Sequence, residues 1–145
     1  MTDLAKLVVD AGVAVKWYVP EEGSDAAAGL LDSAHHLLAP ELLLAEFGNV
    51  LWKKVQRGVL APREAEEIVD AFLEACPVTF YASHPLLPSA FKLATNVQCT
   101  VYDSFYLAVA VAENCRLVTA DDRLVAKLRQ AGYEQSVRAL AGAGS

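Results

Sequence analysis

The sequence predicts one α/β domain, a three-layer α/β/α sandwich around a central, mainly parallel sheet of four to five strands. Short β-branched segments alternate with longer helical segments, which is typical of a parallel sheet covered on both faces. The chain has 145 residues, 54% of them hydrophobic and 21% charged, enough to close one core without disulfides. We therefore expect a single domain over residues 1–138 and a flexible C-terminal tail at 139–145.

The predicted strands are short and nearly apolar throughout. Such runs, bounded by turn or cap residues, indicate strands buried on both faces of a sheet. Four strands are expected at 6–9, 36–39, 77–80 and 116–119, with a weak fifth at 136–138.

Helices are predicted between these strands, at 11–17, 25–33, 41–56, 61–75, 88–97, 102–114 and 123–131. The third helix begins after Pro40 and ends at the pair Arg57-Gly58, the usual order of a proline at the start and a cation followed by glycine at the end. The sixth is almost entirely apolar, so it must be buried on most sides.

Charge and cysteine content exclude several classes of protein. Twelve Lys and Arg against 18 Asp and Glu leave a formal charge of −6, which argues against a basic surface that wraps nucleic acid. The net charge does not exclude a local site where metal ions reverse the sign. Three cysteines without CxxC spacing, and no signal or membrane-spanning segment, predict a protein of the reducing cytoplasm.

Four acidic residues lie in positions that need an explanation. Asp10 and Asp121 follow the first and fourth strands, and the carboxyl ends of parallel strands share one edge of the sheet. Asp103 is the only acid of the apolar sixth helix, and Glu46 lies in the third helix within a narrow polar stripe.

Each acid alone has a purely structural explanation. The three aspartates could cap helices, and Glu46 could pair with Lys53 or Lys54 in solvent. Together, four half-buried carboxylates would lack a shared counter-charge, and a divalent cation removes that difficulty. An all-carboxylate set favours Mg²⁺ or Mn²⁺ over Zn²⁺, and such ions activate water and stabilise charge on a phosphodiester.

Four segments, 8–17, 39–52, 100–108 and 117–124, together resemble the PIN-domain family, most closely the VapC-type toxin ribonucleases of toxin–antitoxin pairs. The resemblance covers nearly the whole chain. It implies a PIN-like α/β/α sandwich, a metal-dependent endoribonuclease that cleaves RNA, a homodimer, and inhibition by a cognate antitoxin protein.

The resemblance also implies roles for particular residues. Asp10, Glu46, Asp103 and Asp121 match the family's catalytic acids, with the three aspartates as ligands of Mg²⁺ or Mn²⁺. Thr119 matches the hydroxyl residue that accompanies the last acid. Further matched or candidate positions around the metal and the RNA are Asn49, Asp122, Lys53, Arg57 and Arg123.

Several alternatives stay open. Asp121 is favoured over Asp122 as the ligand by its motif position, with Asp122 as a cap or a water-mediated neighbour. Tyr106 recurs at helical spacing with Tyr102, which favours packing over stacking on a base. Two other functions compete: a catalytically silent PIN-like module that binds RNA or protein, and an aspartate-nucleophile phosphohydrolase, which the glycine at position 12 disfavours.

Overall fold

The computed structural model describes residues 4–32 and 34–141, and it contains one five-stranded sheet with helices between its strands. The strands are β1 Ala5–Val9, β2 His35–Pro40, β3 Val78–Tyr81, β4 Arg116–Thr119 and β5 Val137–Ala139. The helices are α1 Ala11–Val15, α2 Ser24–Gly29, α3 Leu42–Gln56, α4 Pro62–Glu74, α5 Ser83–Val97, α6 Val101–Ala112 and α7 Asp122–Gln130, with a short 3-10 helix at Glu134–Ser136.

The sheet has the order β3-β2-β1-β4-β5, and every neighbouring pair is parallel. Val8 and Val9 of the central strand β1 point to opposite faces, and both side chains are fully buried. The sheet is therefore covered on both sides, which confirms the predicted α/β sandwich. Within the described residues, no helix has the length and apolar character needed to cross a bilayer.

Register determines which residues meet at the carboxyl edge of the sheet. Val9 of β1 lies opposite Val118 of β4, so Asp10, which follows β1, stands beside Thr119, the last residue of β4. Helix α6 packs against β1, β2 and β4. Its N-terminus carries Asp103 at the third position.

Several predicted boundaries are wrong. Helix α5 begins at Ser83 rather than residue 88, because Pro88 lies inside the helix and its start is held by a Ser83 amide that donates to Glu41 Oε1. Helices α1 and α2 end at Val15 and Gly29, earlier than predicted, and residue 33, the predicted end of α2, lies outside the described residues.

The predicted tail also begins too early. Ala139 belongs to β5, and Leu140 is buried, with its amide donating to the Thr119 carbonyl. The predicted tail residues 142–145 lie outside the described part of the chain.

An aromatic cluster packs beside α3 and α4. The rings of Phe47 and Phe72 stack with centroids 4.3 Å apart, and Tyr18 and Phe80 meet them edge-on. Phe47 is thus anchored one residue after Glu46, which fixes the turn of α3 that carries this acid.

Candidate functional site

Asp10 is held from two sides at the end of β1. Its Oδ1 accepts the Val13 amide at 2.9 Å and thereby caps α1, while its Oδ2 accepts the Thr119 hydroxyl at 2.5 Å. Asp10 therefore caps a helix, which is the purely structural role that the sequence also allows. It lies near other acids of the edge as well, since the charges of Glu46 and Asp103 act on it.

Thr119 connects Asp10 to Asp121. Its fully buried hydroxyl donates to Asp10 and accepts the Asp121 amide at 3.1 Å. Asp121 in turn caps α7, because its Oδ1 accepts the Leu124 amide at 3.1 Å. One hydroxyl group therefore fixes the relative positions of two carboxylates that lie 111 residues apart in sequence.

Asp103 does not cap α6. The cap is Thr100, whose hydroxyl oxygen accepts the Asp103 amide at 3.1 Å. This leaves the carboxylate of Asp103 free to line a pocket of about 470 Å³ together with Asp121. Arg123 and Lys127 of α7 line the same pocket.

Glu46 is positioned by a buried tyrosine. Tyr106, only 3% exposed, donates its hydroxyl to Glu46 Oε1 at 2.6 Å. The alternative pairing of Glu46 with Lys54 is wrong, because Lys54 binds Glu21 at 2.7 Å. Tyr106 therefore packs, as expected, and its hydroxyl also holds the acid of α3.

The acidic edge raises the pKa of two of its members. Burial raises the pKa of Asp10 to about 6, and the nearby charges of Glu46 and Asp103 add to this against the opposing hydrogen bonds from Thr119 and Val13. Burial also raises the pKa of Asp103; a hydrogen bond with the Thr100 side chain and the charge of Lys127 oppose this, and the charge of Asp121 adds to it. Both shifts mean that burial disfavours the ionised carboxylates more than their hydrogen bonds and the nearby Lys127 favour them.

The chemistry of these side chains fits a divalent cation. No Lys or Arg in residues 4–32 and 34–141 forms an ion pair with any of the four acids. As the side chains stand, no three His, Cys, Asp or Glu residues of the described chain form a compact metal-binding group. The fit thus rests on donor type and unmet charge: hard carboxylate oxygens that suit Mg²⁺ or Mn²⁺.

The other predicted residues divide into those near the acids and those away from them. Asn49 and Lys53 lie beside Glu46 in a second groove of about 350 Å³, and Arg123 lies in the first. Arg57 is exposed at the end of α3 and lines neither groove, and Asp122 lines a separate pocket with Lys16.

Sequence reasoning missed three features of this site. Lys127 lies one turn beyond Arg123 on α7, and helical spacing could have placed it in the same pocket. Tyr102 borders the second groove. The contact between Tyr106 and Glu46 spans 60 residues of sequence, so no local pattern indicates it.

Comparisons with known proteins agree with this fold. The family model described as PIN domain matches residues 7–129. Ribonuclease VapC3 of Pyrobaculum aerophilum is 38% identical over 125 residues, which are 84% of this chain and 94% of that protein.

Two solved structures share the fold. The crystal structure of PAE2754 from Pyrobaculum aerophilum has a TM-score of 0.70 at 22% identity and covers 95% of this chain and 85% of its own. That of VapBC2 from Rickettsia felis, bound to a DNA fragment from their promoter, has a TM-score of 0.65 at 15% identity and covers 92% and 98%. The extent of the family match and the identity to VapC3 together show that this chain is a member of the PIN domain family.

Proposed function

We propose that the protein is a metal-dependent endoribonuclease that hydrolyses RNA phosphodiester bonds and acts as the toxin of a toxin–antitoxin pair. The observation that carries the proposal is the proximity of four carboxylates: Glu46 and Asp103 act electrostatically on Asp10, and Asp103 and Asp121 line one pocket. The hydroxyl of Thr119 connects Asp10 to Asp121. The VapC3 ribonuclease, similar over most of both chains, supports the same activity.

The four acids have two proposed roles, which follow from their positions. Asp10, Asp103 and Asp121 are the proposed ligands of Mg²⁺ or Mn²⁺, and Glu46 completes the negative cluster from α3. When bound, such an ion activates water and stabilises the charge that develops on the phosphodiester. Thr119 and Tyr106 keep two of the carboxylates in place, and Arg123 is available for a neighbouring phosphate.

Two other functions are less well supported. An aspartate-nucleophile phosphohydrolase needs a second acid two residues after the nucleophile, and Gly12 occupies that position after Asp10. A catalytically silent binding module has no use for a carboxylate whose pKa burial and neighbouring charge raise to about 6.

The proposed partners are an RNA substrate, a cognate antitoxin protein and a second copy of this chain. The similar fold of the Rickettsia felis complex, described as VapBC2, supports the antitoxin. Light scattering coupled to gel filtration tests the dimer directly, because a monomeric mass at micromolar concentration contradicts it.

The test of the activity is cleavage of a mixed pool of structured RNAs with Mg²⁺, Mn²⁺ or EDTA. We expect discrete cuts that need metal and that disappear in Asp10→Asn and Asp103→Asn. The matched control is Asp70→Asn, which makes the same change at an exposed position of α4 and should cleave normally. Full cleavage in EDTA, or by folded Asp103→Asn protein, contradicts the proposal.

Metal binding is measured independently of cleavage, by thermal unfolding. A ligand that binds the folded state at about 100 times its Kd adds about 2.7 kcal/mol of stability. We expect millimolar Mn²⁺ to raise the melting temperature of the wild-type protein and of Asp70→Asn, and to have little effect on Asp103→Asn. No rise in any of the three favours the silent binding module.

A further inference from the structure

A groove of about 350 Å³ runs between α3 and α6 on the Glu46 side of the acidic cluster. Helix α3 contributes Glu46, Asn49 and Lys53 to its lining, and α6 contributes Tyr102. Tyr102 and Tyr106 are four residues apart and share one face of α6. Tyr106 is 3% exposed beneath Glu46, whereas Tyr102 is 63% exposed at the groove.

Tyr102 also stands directly before Asp103 in the sequence. Asp103 lines the neighbouring pocket with Asp121, Arg123 and Lys127. The phenol ring lies in the groove that Glu46 lines, and the two cations of α7 lie in the pocket that Asp103 and Asp121 line. A nucleic-acid strand that crosses Asp103 passes the ring.

Coulombic attraction for RNA is weak on this side of the site. The chain carries a net charge of −6, four acids lie near one another at the edge, and among the residues that the structure describes Lys53 is the one cation that lines the α3–α6 groove. Stacking of a base on an aromatic ring is not opposed by the acids, because it needs no positive charge. An exposed large aromatic side chain at such a place is the feature that this binding mode requires.

We propose that Tyr102 stacks on one unpaired base of the RNA, next to the phosphate that lies over the acidic cluster. This inference rests on the proposed function and adds to it a residue that contacts the substrate. It requires an unpaired base, since a base inside a duplex presents no free face to the ring.

The experiment measures binding without cleavage, by fluorescence anisotropy in an Asp10→Asn background. The probes are a labelled 12-nucleotide RNA of random sequence and an abasic ribose-phosphate strand of the same length. Tyr102→Ala should bind the RNA about 5- to 150-fold more weakly, the range that loss of one base stack gives. Tyr102→Phe keeps the ring and should bind within about twofold of the background protein.

The matched control is Phe91→Ala, which removes a ring that is 59% exposed on α5 and lines neither groove. We expect it to leave binding unchanged. On the abasic strand, Tyr102→Ala should bind as tightly as the background protein, because the strand carries no base to lose. Agreement in all four comparisons identifies a contact between the ring and a base.

Three results overturn the inference. The first is that Tyr102→Ala and Phe91→Ala bind RNA equally well. The second is that Tyr102→Ala weakens binding to the abasic strand by the same factor as binding to RNA. The third is that Tyr102→Ala changes the oligomeric mass, which would make the ring a contact between protein chains. Failure of the proposed function looks different, since there the wild-type protein cuts no RNA in any metal. The two failures are read from separate assays.

Discussion

Replacement of Asp10 by asparagine should stabilise the metal-free protein. Burial raises the pKa of Asp10 from its ordinary 3.8 to about 6. At about 1.4 kcal/mol per pKa unit, the ionised carboxylate costs the folded state about 3 kcal/mol at pH 7.5. The pKa of about 6 already includes the preference of both hydrogen bonds for the charged form. Asparagine has only one acceptor oxygen for the Val13 amide and the Thr119 hydroxyl, so it loses one neutral hydrogen bond, at about 1–1.5 kcal/mol. We therefore expect a net gain of about 1–2 kcal/mol.

The stability gain of Asp10→Asn over the wild-type protein should increase with pH. Because the folded pKa is raised, the cost of the wild-type carboxylate is absent below pH 3.8, grows as the pH rises, and is complete above about pH 6. About half of it remains at pH 5. Asp10→Asn should therefore gain more over wild type at pH 7.5 than at pH 5.

The assay is urea unfolding in EDTA at both pH values, with Asp70→Asn as the control for an exposed carboxylate. A gain of about 1–2 kcal/mol corresponds to a rise of about 3–6 °C in melting temperature for a chain of this size.

With Mn²⁺ added, the wild-type protein should become more stable than Asp10→Asn, because only the wild-type site keeps all its carboxylates. The reasoning is refuted if Asp10→Asn is no more stable than wild type in EDTA, or if its gain is the same at both pH values.

Three further substitutions test single contacts. Thr119→Val removes the donor to Asp10 and should cost about 1–3 kcal/mol in urea unfolding; an unchanged midpoint contradicts this. Tyr106→Phe frees Glu46 and should slow RNA cleavage while the circular dichroism spectrum stays native; an unchanged rate shows that the hydroxyl is not needed to position the acid. Phe72→Ala empties the centre of the aromatic cluster and should cost about 3–5 kcal/mol, and a loss below about 1 kcal/mol refutes tight packing there.

Much of the fold could be predicted because its signals are local. The run Leu7 to Val9, for example, is apolar and ends in two β-branched valines, and the structure has β1 at Ala5–Val9. The rule that parallel strands share a carboxyl edge predicts that Asp10 and Asp121 lie together, and the hydroxyl of Thr119 connects them in the structure.

The errors come from contacts between distant parts of the chain. Pro88 is a strong local signal for a helix start and predicts the start of α5 too late, whereas burial of Leu86 holds the preceding turn in the helix. Local spacing offers nearby lysines as partners of Glu46, but its partner Tyr106 lies on another helix. Tertiary packing decides both cases, and one sequence contains no direct record of it.

The capping aspartates show why the structural and functional explanations of the four acids are compatible. A carboxylate has two oxygens with about four acceptor sites, and a helix amide takes only one of them. Asp121 Oδ1 caps α7 through the Leu124 amide, which leaves Oδ2 for another partner. For Asp10 and Asp121 the amide of the following helix also offsets part of the negative charge before any cation arrives. Capping therefore both orients these carboxylates toward the shared edge and lets the fold tolerate their proximity, so a cap assigned from sequence is no argument against a place in the site.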